Sequence, residues 1–87
     1  MRPSILYTWH PYCENGYVVW RRTRYNVQLS VWRSNLNQRW EWMASGWTIS
    51  MMGASRTMRG AKDAALRAAK KVAVKEGTID LYPAEGD

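Results

Sequence analysis

Arginine and tryptophan are the residues here whose types and spacing suggest chemistry. The segment WRRTRY, residues 20–25, sets Arg21, Arg22 and Arg24 beside Trp20 and Tyr25, and RWEWMASGW, residues 39–47, places three of the chain's six tryptophans within eight positions. Guanidinium groups make bidentate contacts to phosphates and guanine edges, while indoles stack on bases or fill the hot spots of protein interfaces. Both are chemistries of binding, not of bond breaking. The remaining reactive groups add little to them. His10 and Cys13 form an H-x-x-C pair, but no second His or Cys exists to complete a zinc set. A Cys–His nucleophile would also need an orienting group and an oxyanion hole, and neither is indicated. A loop histidine and a partly buried thiol are expected, with no metal and no cofactor. Glu41 and Asp63 are the only acids between residues 15 and 75. One is expected on the outer face of a strand and the other on a helix, so they form no acid–base pair. No Walker-type phosphate loop is present, and no enzyme is expected.

The charge is unevenly spread. Of thirteen Lys and Arg residues, twelve lie in residues 15–75, whereas residues 76–87 hold Glu76, Asp80, Glu85 and Asp87 and no cation. The net charge of +6 therefore understates how basic the body is. Such a body attracts polyanions, of which nucleic acid is the commonest in a cytoplasm, although basic surfaces also serve plain solubility. The single Cys13 rules out an internal disulfide and points to a reducing compartment. MRPSILYTWHPY lacks the apolar core of a signal peptide, and no run reaches the ~18 apolar residues of a membrane span. A soluble, cytoplasmic protein with no membrane partner is expected. With 87 residues the chain makes one domain, residues 1–77, followed by an acidic, flexible tail, residues 78–87.

These residues must be positioned by strands and one helix. In YNVQLSVWR, residues 25–33, Val27, Leu29 and Val31 alternate with Asn26, Gln28 and Ser30, the period of a half-buried strand. RWEWMA, residues 39–44, puts Trp40, Trp42 and Ala44 on one face. A four-residue SNLN loop would pair Arg33 with Gln38, Val31 with Trp40 and Leu29 with Trp42, all on one side. A turn at Ser45-Gly46 would then add Trp47, Ile49 and Met51 to the same face. Upstream, YVVWRR (17–22) reads as a strand, and Asn15-Gly16 is a tight-turn signal that would join it to ILYTW (5–9). Pro11 confines that first strand to an edge. Thr57 predicts an N-cap, Met58 to Glu76 a helix, and Gly77 its C-terminal stop. Ala61, Ala64, Ala65, Ala68, Ala69 and Val72 form one stripe of that helix, expected to lie over the tryptophans. The fold predicted is α+β: an antiparallel meander of three to five strands covered on one face by a C-terminal helix.

One sheet face then stays open. The register places Trp32 opposite Arg39, Ser30 opposite Glu41 and Gln28 opposite Met43, so Asn26, Gln28, Ser30, Trp32 and Arg39 are available to bases and phosphates. A solvated sheet face is the competing reading, because amphipathic strands always have a polar side. Candidate nucleic-acid contacts are Arg21, Arg22, Arg24, Gln28, Trp32, Arg33 and Arg39, with Arg56 and Arg59 able to reach a phosphate near the helix N-terminus. Lys62, Arg67, Lys70 and Lys71 read as a solvated helix arc.

TRYNVQLSVWR, RWEWMASGW and TMRGAKDAALRAAKK, roughly residues 23–71, resemble in order and residue type two groups of DNA-binding domains. These are the ethylene-response-factor domain of plants and the amino-terminal arm-binding domain of tyrosine integrases. The resemblance implies a sheet that enters the major groove, with Arg22, Arg24, Trp32, Arg33 and Arg39 where contact residues belong. The W-x-W strand and Ala-rich helix also look like small accessory proteins of phages and mobile elements, many of which bind another protein. The leading expectation is thus a nucleic-acid-binding domain, DNA before RNA. The alternative is a protein-interaction module, an inhibitor or adaptor of a host protein, working as a monomer or homodimer.

Overall fold

The computed structural model describes residues 8–78. Five strands form one antiparallel sheet in chain order: β1 (His10–Glu14), β2 (Tyr17–Arg24), β3 (Val27–Arg33), β4 (Trp40–Ser45) and β5 (Ser50–Ser55). One helix, α1 (Met58–Glu76), packs on the face of β3, β4 and β5 and touches β2 only at its margin. The α+β meander with a C-terminal helix is the architecture the sequence predicts.

Two hairpins are set by residues with positive φ. Asn15 and Gly16, at φ 52° and 83°, turn β1 into β2 so that Glu14 pairs with Tyr17. Tyr25 and Asn26, at φ 54° and 63°, do the same between Arg24 and Val27. Both are two-residue turns of the type whose twist matches the flanking strands. Residues 25 and 26 thus form a turn, where the sequence predicts the start of a strand. The first strand also differs from expectation. It begins at His10 and contains Pro11, with Thr8 and Trp9 outside it and the rest of the predicted ILYTW strand beyond the described residues. Pro11 does sit on an edge strand, where its missing N–H costs no ladder bond.

The later registers slip from expectation by even numbers, which preserves the faces. Arg33 pairs with Trp40, not Gln38, and Val31 with Trp42. The cause is a longer loop, residues 34–39, that satisfies its own polar groups. The Ser34 amide donates to the Arg39 carbonyl at 2.8 Å and the Gln38 amide to the Ser34 carbonyl at 3.1 Å. The Ser34 and Asn37 side chains accept from the Leu36 and Arg39 amides. At the next connection Ala44 pairs with Met51 and Trp42 with Gly53, four residues later than a Ser45-Gly46 turn allows. Trp47 is therefore lifted out of the core and is 78% exposed.

Glu76 holds that connection. Its carboxylate accepts from the backbone amides of Trp47 (3.1 Å), Thr48 (2.7 Å) and Ile49 (3.0 Å) and from the Thr48 hydroxyl (3.2 Å). A carboxylate at a helix C-terminus opposes the helix dipole, and three backbone donors outweigh that. Gly46 is needed beside it, because a Cβ there would run into the Glu76 carboxylate and Val72. The Thr48 amide, first among these donors, holds the Glu76 carboxyl below its ordinary pKa, against the opposing effect of desolvation. A depressed carboxyl pKa adds stability that is complete above the unfolded-state value and is lost as pH falls through the folded one. The Trp47, Thr48 and Ile49 amide resonances should accordingly titrate together in NMR, with a midpoint below the usual glutamate range. In Glu76→Gln that transition should be gone.

The helix follows its sequence signals. Thr57 caps it by accepting from the Gly60 amide at 3.0 Å, and Gly77 closes it at φ 73° with its amide on Val74, while the Thr78 amide bonds Ala73. Ala61, Ala65, Ala68, Ala69, Val72 and Ala73 are buried, with Ala64 half-buried at the stripe's margin. Small helix residues let the backbone approach Val27, Leu29, Val31 and Ala44, all buried from the sheet. Trp40, Trp42, Ile49 and Met51 pack around them. Gly53 completes the fit: a Cβ there would lie 2.6 Å from the Trp42 ring, so the indole rests directly on strand backbone.

Candidate binding face

The register of the whole sheet assigns each candidate to a face. Val27, Leu29 and Val31 face the helix, so their partners Arg24, Arg22 and Trp20 do too. On the other side Arg21 pairs with Ser30, Val19 with Trp32 and Thr23 with Gln28, and β1 adds His10, Tyr12 and Glu14. Trp32 stands opposite Glu41, Ser30 opposite Met43 and Gln28 opposite Ser45.

The predicted arginine face is thereby divided. Of the nine candidates, Arg21, Gln28 and Trp32 lie on the open face. Arg22 and Arg24 lie on the helix side, where Arg24 is buried with its guanidinium 5.0 Å from the Tyr25 ring centroid. Arg33 shares that side, 5.9 Å above the Trp40 ring at the exposed end of β3. Arg39 falls in the loop before β4 and has no strand partner, so Glu41 occupies the place expected for it beside Trp32. Arg56 lies in the exposed connection between β5 and α1, and Arg59 on the first turn of α1. The two-residue turn at Tyr25-Asn26 explains the split, because strand alternation from it sends Arg22 and Arg24 to one side and Arg21 to the other.

What the open face holds instead is an apolar groove. A concavity of about 620 Å³ is lined by Tyr17, Val19, Trp32, Leu36 and Met43, with Ser30, Arg21, Glu14 and Glu41 among its polar groups. Arg21 is ion-paired with Glu14 and lies 5.7 Å from the Tyr12 ring centroid. Its charge is thus already committed within the chain. Leu36, at the tip of the β3–β4 loop, is 96% exposed, and Tyr17 and Met52 also present large apolar surface. A smaller cleft of about 400 Å³ follows at the other end of the face, lined by Thr23, Asn26, Gln28, Ser45, Gly46 and Trp47. No protein-family model matches the chain, and no curated protein or solved structure matches it either.

The lining is chemically suited to an apolar surface. The face carries aromatic, Met and Leu side chains around one internal ion pair and the Glu41 carboxylate, with no net positive charge to meet phosphates. The cations gather on the far side. Arg59, Arg67, Lys70, Lys71 and Lys75 are exposed on α1. Lys62 is not part of this solvated arc: its ammonium sits 4.5 Å from the Trp20 ring centroid and 5.6 Å from that of Trp9, and burial lowers its pKa. His10 and Cys13, three residues apart in β1, project to opposite faces, and Cys13 is exposed, not partly buried as predicted. Among the described residues no three His, Cys, Asp or Glu side chains cluster as a metal site, and no helix is long and apolar enough to cross a membrane.

Tyr17, Val19, Leu36, Met43 and Glu14 are absent from the sequence-based candidates. The signal for most of them is present nevertheless. Once Asn15-Gly16 and Tyr25-Asn26 are both read as two-residue turns, alternation alone puts Tyr17, Val19 and Arg21 beside Trp32. Leu36 carries no such signal, since its exposure follows from the self-bonded loop.

Proposed function

We propose that this chain is a protein-interaction module, an inhibitor or adaptor, that grips its partner with the open sheet face. The observation that carries this reading is the groove formed by Tyr17, Val19, Trp32, Leu36 and Met43, apolar and without net positive charge. Aromatic and Met side chains on a concave patch with a polar rim are the composition of interface centres, where a few anchors supply most of the affinity. Glu41 beside Trp32 adds a place for a partner's Lys or Arg, held by the carboxylate and the indole together.

A second reading, nucleic-acid binding, is supported by the exposed cations of α1 and by the net charge of +6. It uses the helix arc and not the sheet. The two readings separate in a titration of duplex and single-stranded DNA at two salt concentrations. If the sheet face serves a protein, DNA binding should be weak and steeply salt-dependent, unchanged by Trp32→Ala and abolished by Lys70→Glu with Lys71→Glu. Tight DNA binding lost in Trp32→Ala would return the sheet face to nucleic acid.

A further inference from the structure

The two edges of the sheet are not alike. β1 carries Pro11, which has no N–H, together with His10 and Glu14, whereas β5, SMMGAS, has no charge, no proline and no bulge. Edge strands of this second kind are templates for pairing unless something blocks them. The β4–β5 ladder fixes which backbone groups are left over. The Gly46 amide donates to the Ile49 carbonyl, so Ala44–Met51 and Trp42–Gly53 are the hydrogen-bonded pairs and the groups of Ser50, Met52 and Ala54 point outward. These three residues are exposed, Met52 at 67%.

We propose that β5 pairs antiparallel with β5 of a second copy about a two-fold axis at Met52, joining two sheets into one of ten strands. In this register Met52 faces its own symmetry mate and Ser50 faces Ala54, so a small residue, a methionine and a small residue meet their own reverse with no like charges opposed. The next pair out sets Arg56 of each copy opposite Thr48 of the other, whose amide and hydroxyl hold the Glu76 carboxylate. The helices do not obstruct this union. Each lies chiefly over β3 and β4, so the two are separated by at least three strand spacings, about 14 Å, which exceeds the ~10–12 Å width of a helix. The open faces merge on the other side, bringing Met43 and Met52 of both copies into one apolar strip between the two grooves.

Sedimentation equilibrium of the full chain across a wide concentration range tests the pairing. The expected result is a transition from 10.1 kDa to twice that mass, with Ser50, Met52 and Ala54 amides gaining hydrogen-exchange protection as concentration rises. Ala54→Pro removes an outward N–H and no ladder bond to β4, so it should weaken the dimer about thirtyfold, the two-fold axis repeating the lost hydrogen bond. Met52→Lys, which opposes two ammonium groups at the axis, should abolish it while the circular dichroism of the monomer stays native. A mass of 10.1 kDa at every concentration, or a dimer indifferent to both substitutions, would overturn the proposal. So would protection of these three amides that does not depend on concentration.

Discussion

Replacing Trp42 by alanine is expected to lower the unfolding free energy by about 3 kcal/mol, the lower end of the cost of truncating a large aromatic, because the indole is partly buried against the core. The indole lies over Gly53, pairs across the sheet with Val31 and packs against the buried cluster beneath α1. The alanine stripe cannot collapse into the space, because its side chains have no further atoms to extend. Domains of this size hold ~5–15 kcal/mol in total, so much of the stability should go. Urea unfolding followed by tryptophan fluorescence would measure it. A loss under ~1 kcal/mol would mean that the helix does not rest on this indole.

Trp32→Ala should do the reverse. The side chain is half-buried on the open face, where it lines the groove and meets Glu41, not the helix. Stability should change by no more than ~1 kcal/mol, as for most surface substitutions. Affinity for the partner should fall about thirtyfold or more, the loss typical of a central aromatic anchor. Calorimetric titration beside a thermal melt of each variant would separate the two effects. Equal destabilisation by Trp32→Ala and Trp42→Ala would contradict the assignment of their faces.

Most of the architecture is legible in the sequence because it rests on local chemistry. The Val27-Leu29-Val31 alternation, the Asn15-Gly16 turn, the Thr57 cap and the Gly77 stop each act within a few residues. Register is not local in this way. It depends on how many residues a loop needs to satisfy its own donors, and the loop of residues 34–39 takes two more than the four-residue SNLN loop expected. The β4–β5 connection depends on Glu76, twenty-seven to twenty-nine positions away in the chain. No spacing rule links that residue, which reads as the start of an acidic tail, to the amides of Trp47, Thr48 and Ile49. Even-numbered slips keep the faces of β3 and β4, so Trp40 and Trp42 lie on the helix side as expected, partly buried against the core, while Trp47 does not. The candidate binding face is the least legible part. Three clustered arginines read as one patch, but a strand sends neighbours to opposite sides, and Arg21 is then engaged by Glu14. Net charge described the molecule correctly and its sheet face poorly.

Site-specific photo-crosslinking in cells that express the chain distinguishes a partner met by the apolar sheet face from one met by the basic helix arc. A benzophenone amino acid is placed either at Leu36, on the groove rim, or at Lys70, on the exposed arc of α1. The expected result is a discrete protein crosslinked from position 36 that disappears when Trp32→Ala is added, with no discrete protein crosslinked from position 70. Crosslinks from position 70 to nucleic acid, with none from position 36 or with one that is indifferent to Trp32, would contradict binding by the sheet face.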